Sequence, residues 1–294
     1  MQHVDGSAWR RPGAGLDVFE DFITLGGPGM NVIVPRSAPP GLVADIQAAL
    51  ISSQLGVSFA YARTRYASRE PAPSDSAVVL AFRDVYFAGK NHMLETLGRF
   101  RADDQDESSA GATFADHALM RLQATYFAAG FLYGTGHLFE AHAVLRLFLE
   151  QVAWANRVRD VVTADEAAGV SPTKAISALK AVLPYVGPFY GFLSSSTHLA
   201  LGEHLDFVDW SGGVTRVTLR HGATGLAEGW VLLFAADCWS VVYERTQSQF
   251  VSELQNWRQS DDGLALIADR PFLALADPLR KRLIEVADSP DKSA

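Results

Sequence analysis

An all-α, multi-helix bundle with an irregular N-terminal arm and a short hairpin-like insertion is the fold this sequence predicts, on three observations. Apolar residues recur at helical spacing almost without pause from Thr113 to Asp160. No alternation of strand and helix patterns marks a parallel sheet. Of the 294 residues 48% are apolar and only 20% charged, a balance that supplies a core and lies far from disordered chains.

The elements follow in order. Residues 1–40 combine Gly and Pro clusters (RRPGAG, LGGPG, SAPPG) with one β-prone run, Asn31 to Val34, and predict an irregular arm. Helices are expected over 41–100. Pro39 and Pro40 open the first of them, which presents Leu42, Ile46, Leu50 and Leu55. Ser68 to Ser76 is a break, after which Val79, Phe82, Tyr86, Met93 and Leu97 mark a second helix weakened at Gly89. Arg101 to Ala112 reads as an exposed loop.

A central bundle is assigned to 113–257, opening with two antiparallel helices split at Gly134 to His137. The second of these carries Leu138, Ala141, Leu145, Phe148, Leu149 and Val152 on one side and Val144, Leu147 and Trp154 on another, so it should be central. Ser171 and Pro172 start a further helix that Pro184, Gly187 and Pro188 end, and another runs through FYGFLSSSTHLALGEHL. The hairpin-like insertion is placed at 206–224, where Ser211-Gly212-Gly213 separates two β-prone runs. One long helix is expected from Leu226 to about Trp257, a C-terminal helix within 258–287, and a disordered tail over 288–294.

Charge and cysteine content bound the function. With 25 Lys and Arg against 33 Asp and Glu the net charge is −8, which argues against nucleic-acid binding by charge alone. Aromatic residues do not interleave with the cations Arg216, Arg220 and His221 as a single-strand stacking platform would require, so sequence-specific DNA recognition is unsupported. The lone Cys238 has no intrachain partner for a disulfide, and MQHVDGSAWRRPGAG lacks the apolar stretch of a secretory signal, so the cytoplasm is expected. The longest apolar run, Gly229 to Tyr243, is shorter than the ~20 residues that span a bilayer and contains Asp237. A buried helix, not a membrane segment, is the expectation.

The most informative polar feature is the stripe His142, Arg146, Glu150, spaced i, i+4, i+8 on an otherwise apolar helix. A buried Arg–Glu pair needs further partners to offset desolvation. His198 and Asp237 are the candidates, Asp237 because a carboxylate amid so much apolar surface is costly unless paired. Arg146, Glu150 and one or both of His198 and Asp237 are therefore expected to share an environment, either as a network fixing helix register or as a functional site. Arg216, Arg220 and His221 form a small basic group, either a phosphate or acidic-partner contact or a solvated strand edge.

Other chemistries lack their signatures. His137, Glu140 and His142 match no zinc spacing, and His198 with His204 fails the same test, so no metal is expected. Ser194-Ser195-Ser196 lacks the strand–turn–helix setting of an activated serine, and Cys238 reads as a core residue. GGPG and GTG match no phosphate-cradling loop, so no cofactor is implied. Trp210 and Trp257, in polar stretches, are candidate protein-contact residues.

EAHAVLRLFLEQ followed by YGFLSSSTH resembles a group of uncharacterised bacterial all-helical domains that pair an E-A-x-x-x-L-R-x-x-x-E helix with a Y-x-x-x-S-x-x-x-H helix. The matching positions are Glu140, Ala141, Leu145, Arg146, Glu150, Tyr190, Ser194 and His198. The resemblance implies a helical bundle distantly related to the RNA- or nucleotide-binding domains of bacterial toxin and defence proteins. The active members use an Arg, then four to six residues, then a His, a metal-independent ribonuclease arrangement. Here only Arg216 to His221 has that spacing, Val217 replaces the usual polar residue, and the segment lies in the insertion. The leading expectation is thus an interaction or regulatory protein with a protein partner or self-association. The alternative is a metal-independent ribonuclease or nucleotide-acting domain using Arg146, Glu150 and His198, with His142 and Tyr190 in binding roles.

Overall fold

The computed structural model describes residues 22–27, 30–35, 38–65, 77–100, 109–134, 136–198, 208–209, 216–217, 223–250, 253–261 and 263–289. It is an all-α multi-helix bundle with small two-stranded hairpins attached.

The arm is not wholly irregular. β1 (Phe22–Gly27) and β2 (Met30–Pro35) pair antiparallel, Phe22 opposite Pro35 and Gly27 opposite Met30, so the β-prone run at 31–34 forms half of a hairpin. Pro40 then occupies the first turn of α1 (Pro40–Leu55), where its missing N–H has no intrahelical partner to lose. Gly56, at φ +65°, ends that helix in the left-handed conformation. α2 (Phe59–Arg65) follows, tied back by the Arg63–Asp45 ion pair.

These elements bury two small apolar clusters of their own. Val34 and Leu50 centre one, Ala48 and Ala62 the other. Of the face expected on α1, Leu50 is buried and Ile46 half-buried, but Leu42 and Leu55 are exposed. The hairpin covers one side of the helix, and about half or more of Leu42 and Leu55 faces solvent.

The main core belongs to α3 (Ala77–Gly98), α4 (Ala110–Gly134), α5 (Leu138–Val158), α7 (Pro172–Val182), α8 (Val186–His198), α10 (Val231–Thr246) and α11 (Pro271–Asp288). α5 packs against α4, α7, α8 and α10, the central position its two apolar sides predict. Leu145, Phe148, Leu149 and Val152 are fully buried there, each contributing roughly 1.5–3 kcal/mol by removal from water. Leu147 departs from expectation at 49% exposed, because it points away from all four neighbours.

α10 packs against α3, α4 and α5, and Trp239 cross-links it to α4 by donating its indole N–H to the Leu119 carbonyl at 2.8 Å. The Gly225–Thr246 stretch is long and apolar enough by composition to cross a membrane, and most of it is buried inside the bundle. Cys238 is fully enclosed, and burial pushes its thiol well above the usual range.

Gly89, a weak point of α3 by propensity, lets α4 approach. A Cβ there would fall on the Tyr126 hydroxyl, which donates to the Tyr86 carbonyl at 3.3 Å. Gly111 does the same where the first turn of α4 meets the end of α5. A Cβ at that position would lie 2.2 Å from the Val158 carbonyl oxygen and 2.4 Å from that of Val161. Backbone atoms cannot swing aside as a side chain can, so Gly111→Ala is expected to destabilise the chain by about 1–3 kcal/mol. A chemical-denaturation midpoint measures it; an unchanged midpoint would show that this junction is loose.

Four further departures concern connections. α6 (Ala164–Ala168) is a short helix missed by periodicity and stabilised by a capping box between Thr163 and Glu166. Ser171 sits at the N-cap of α7 in an extended conformation but makes no side-chain cap bond. α8 begins before Gly187 and Pro188, which fit within its first turn instead of lying between helices.

The long helix predicted to Trp257 stops at Thr246. It is preceded by α9 (Ala223–Ala227) and a 3₁₀ turn at Glu228–Trp230, and followed by a second 3₁₀ turn and a hairpin of β5 (Trp257–Ser260) and β6 (Gly263–Leu266). The buried Glu244 carboxylate causes the change of direction, since it accepts from the backbone N–H of Asn256 at 2.7 Å and of Trp257 at 3.3 Å. The insertion contributes β3 (Val208–Asp209) paired with β4 (Arg216–Val217). Of the tail expected at 288–294, Asp288 closes α11, and 290–294 lie outside the described residues.

Candidate functional site

The polar residues singled out from the sequence separate into three clusters. In the first, Arg146 Nε meets Glu150 Oε1 at 3.2 Å, one turn along α5. Arg146 Nη1 donates to Thr197 Oγ1 at 2.9 Å and Tyr190 Oη donates to Glu150 Oε1 at 2.8 Å, both from α8. The guanidinium lies over the Tyr190 ring at 5.5 Å. Arg146 and Glu150 share an environment as expected, but it is a rim and not an interior, with the arginine side chain 25% and the glutamate 18% exposed. Thr197, absent from the sequence reading, is the partner that α8 supplies. His198 ends α8, and its side chain lies outside the described residues.

His142 does not continue the stripe. One turn before Arg146, its buried ring turns inward, with Nε2 at 3.2 Å from Glu228 Oε2. The approach is off the hydrogen-bond axis, and among the described residues neither ring nitrogen has a hydrogen-bond partner. Tyr133 and Phe192 meet the ring edge-on at centroid distances of 5.7 and 5.0 Å.

Asp237 belongs to neither group, a correction to the expectation that it might neutralise Arg146. It forms a bidentate pair with Arg270, Nε to Oδ1 at 3.1 Å and Nη2 to Oδ2 at 2.5 Å. Tyr185 Oη donates to Oδ2 at 2.7 Å, and Arg270 Nη1 donates to the Ile267 carbonyl at 3.0 Å. Both charged side chains are almost fully buried. Burial, and then the neighbouring carboxylate, pushes the Tyr185 hydroxyl well above its usual range, so it stays protonated and donates.

Arg216 forms part of β4, with its side chain outside the described residues, and Arg220 and His221 lie outside them entirely, as do Trp210 and His204. Trp257 is buried, a correction to its reading as a contact residue: its indole donates to the Val241 carbonyl at 2.9 Å and its ring lies 5.1 Å from the Arg245 guanidinium. Among the described residues no three His, Cys, Asp or Glu side chains group as a metal site would require.

Beside Asp237, α10 and α11 flank a cavity of about 350 Å³, open to solvent on one side and lined by Leu233, Phe234, Asp237, Leu273, Ala276, Asp277 and Arg280. An aromatic row connects this cavity to His142. Phe192 stacks on Trp230, Trp230 meets Phe234 edge-on at 5.3 Å, and Phe234 meets Tyr185 at the same distance. Arg280, beside Asp277, lies over the Trp230 ring at 6.0 Å. Neither Trp230 nor Arg280 stands out in the sequence; their signal, an Asp at 277 three and four residues before Arg280 and Lys281, is that of an ordinary helix surface. No protein-family model, curated protein or solved structure matches this chain.

Proposed function

We propose that this chain is a helical regulatory or interaction protein that works by binding, and that the cavity between α10 and α11 is its ligand site. The single observation behind this is the cavity itself, about 350 Å³ with Leu233, Phe234, Leu273 and Ala276 as apolar lining beside the buried Asp237 and, nearer solvent, Asp277 and Arg280. Small-molecule sites have that size and that mixture of lining. The polar clusters support binding over bond-breaking, since Asp237 is held by Arg270 and Tyr185, and Glu150 by Arg146 and Tyr190. A regulatory role follows if occupancy alters how α11 sits on α10.

The test is saturable fluorescence enhancement of 1-anilinonaphthalene-8-sulfonate by the folded protein. Ala276→Phe places a ring in the cavity and is expected to weaken the saturable phase about tenfold or more. Leu273→Trp fills it from the neighbouring turn and guards against a misfolded first variant. Undiminished binding in both would remove the cavity from consideration. Cleavage of RNA by the purified chain, lost in Arg146→Ala, would replace this reading with the nucleotide-acting one that the resemblance implies.

A further inference from the structure

Resting on that reading of the cavity, we propose that its ligand is an anionic amphiphile, an apolar chain or ring against Phe234 and Leu273 with a carboxylate held by Arg280. The charges decide the class. The two carboxylates that line the cavity are both neutralised, Asp237 by Arg270 and Asp277 by Lys281 as well as Arg280. Among the described lining residues Arg280 is the one cation, and Arg270 and Lys281 hold the two carboxylates from outside the lining.

Arg280 is the cation that can change partner. Asp277 receives one bond from it, Nη2 to Oδ1 at 3.1 Å, while Lys281 Nζ holds the other oxygen of Asp277 at 2.6 Å. If a ligand carboxylate takes the guanidinium, Asp277 keeps Lys281 and no charge is left unpaired. A guanidinium carries five N–H donors in a planar fork that matches a carboxylate, and the Arg280 group lies over the Trp230 ring, 6.0 Å from its centroid. A cationic head finds no equivalent, because Asp237 already accepts three hydrogen bonds and Asp277 already faces two cations.

Isothermal titration of the full chain with decanoate, 1-decanol and decylamine separates the possibilities. Decanoate is expected to bind about tenfold or more tightly than 1-decanol, and decylamine no better than the alcohol. Arg280→Gln should bring decanoate down to the alcohol's affinity and leave the alcohol unchanged. Rising salt should weaken decanoate alone in the wild type, a reading that needs no variant. Equal affinity for acid and alcohol, or decanoate binding indifferent to both Arg280→Gln and salt, would overturn the anionic class while leaving the cavity as a site. Failure of all three probes to bind, or decanoate binding undiminished by Ala276→Phe, would overturn the cavity reading itself.

Discussion

Asp237→Ala is expected to cost about 3–5 kcal/mol of stability, the range for removing one member of a buried ion pair. The loss exceeds one contact because Arg270 remains 3% exposed with the Ile267 carbonyl as its one remaining acceptor among the described residues, and Tyr185 loses the oxygen it donates to. For a domain of this size such a loss lowers the melting temperature by on the order of 10 °C. Arg270→Ala should do comparable damage from the other side, leaving a carboxylate inside α10. The double change Asp237→Leu with Arg270→Met should be milder than either single one, since no charge stays buried. Arg270 also stands at the entry to α11, and the single variants should loosen the helix that carries Leu273 and Ala276. Calorimetric melting of the four proteins measures this; an Asp237→Ala loss under about 1 kcal/mol would show that the pair does not hold α11 in place.

What the sequence made readable here is what repeats locally. α4 and α5 are visible because their apolar residues recur every three or four positions, and Arg146 with Glu150 because a single turn separates them. That Asp237 requires a partner was also readable from the cost of burying it. The identity of that partner was not, since Arg270 lies 33 residues along, beyond a hairpin, where no spacing rule reaches. The same difficulty hides Thr197, 51 residues from Arg146. His142 shows the limit of a stripe on one helix: it is one turn from Arg146, yet the neighbours of α5 draw it towards Glu228. The β5–β6 hairpin was obscured because the polar end of a helix and an exposed strand have similar composition. Asp261-Asp262-Gly263 was the turn signal, and the Glu244 contact that ends α10 is again non-local.

His92→Phe is expected to flatten part of the acid dependence of stability while changing little at neutral pH. The imidazole stacks on Phe272 with ring centroids 3.8 Å apart and planes within 4° of parallel, so a phenyl ring can take its place. Burial, followed by the charges of Arg99 and Arg270, lowers the His92 pKa from 6.5 to about 3. In the unfolded chain the ring recovers its ordinary affinity for protons, so between those values the unfolded state binds the extra proton and stability rises with pH. The contribution is intact above about pH 6.5 and is lost progressively as the pH falls towards 3, on the order of 4–5 kcal/mol over the whole window. Carboxylates titrate in the same range, and the raised pKa of buried Asp116 acts with the opposite sign, since its folded form holds the proton more tightly. The difference between wild type and variant cancels those shared terms. Urea unfolding at pH 7 and pH 4.5 should show the wild type losing about 2–3 kcal/mol more than His92→Phe. Equal losses would mean that His92 accepts its proton inside the fold, which requires α3 and α11 to part at acid pH and admit water between Arg99 and Arg270.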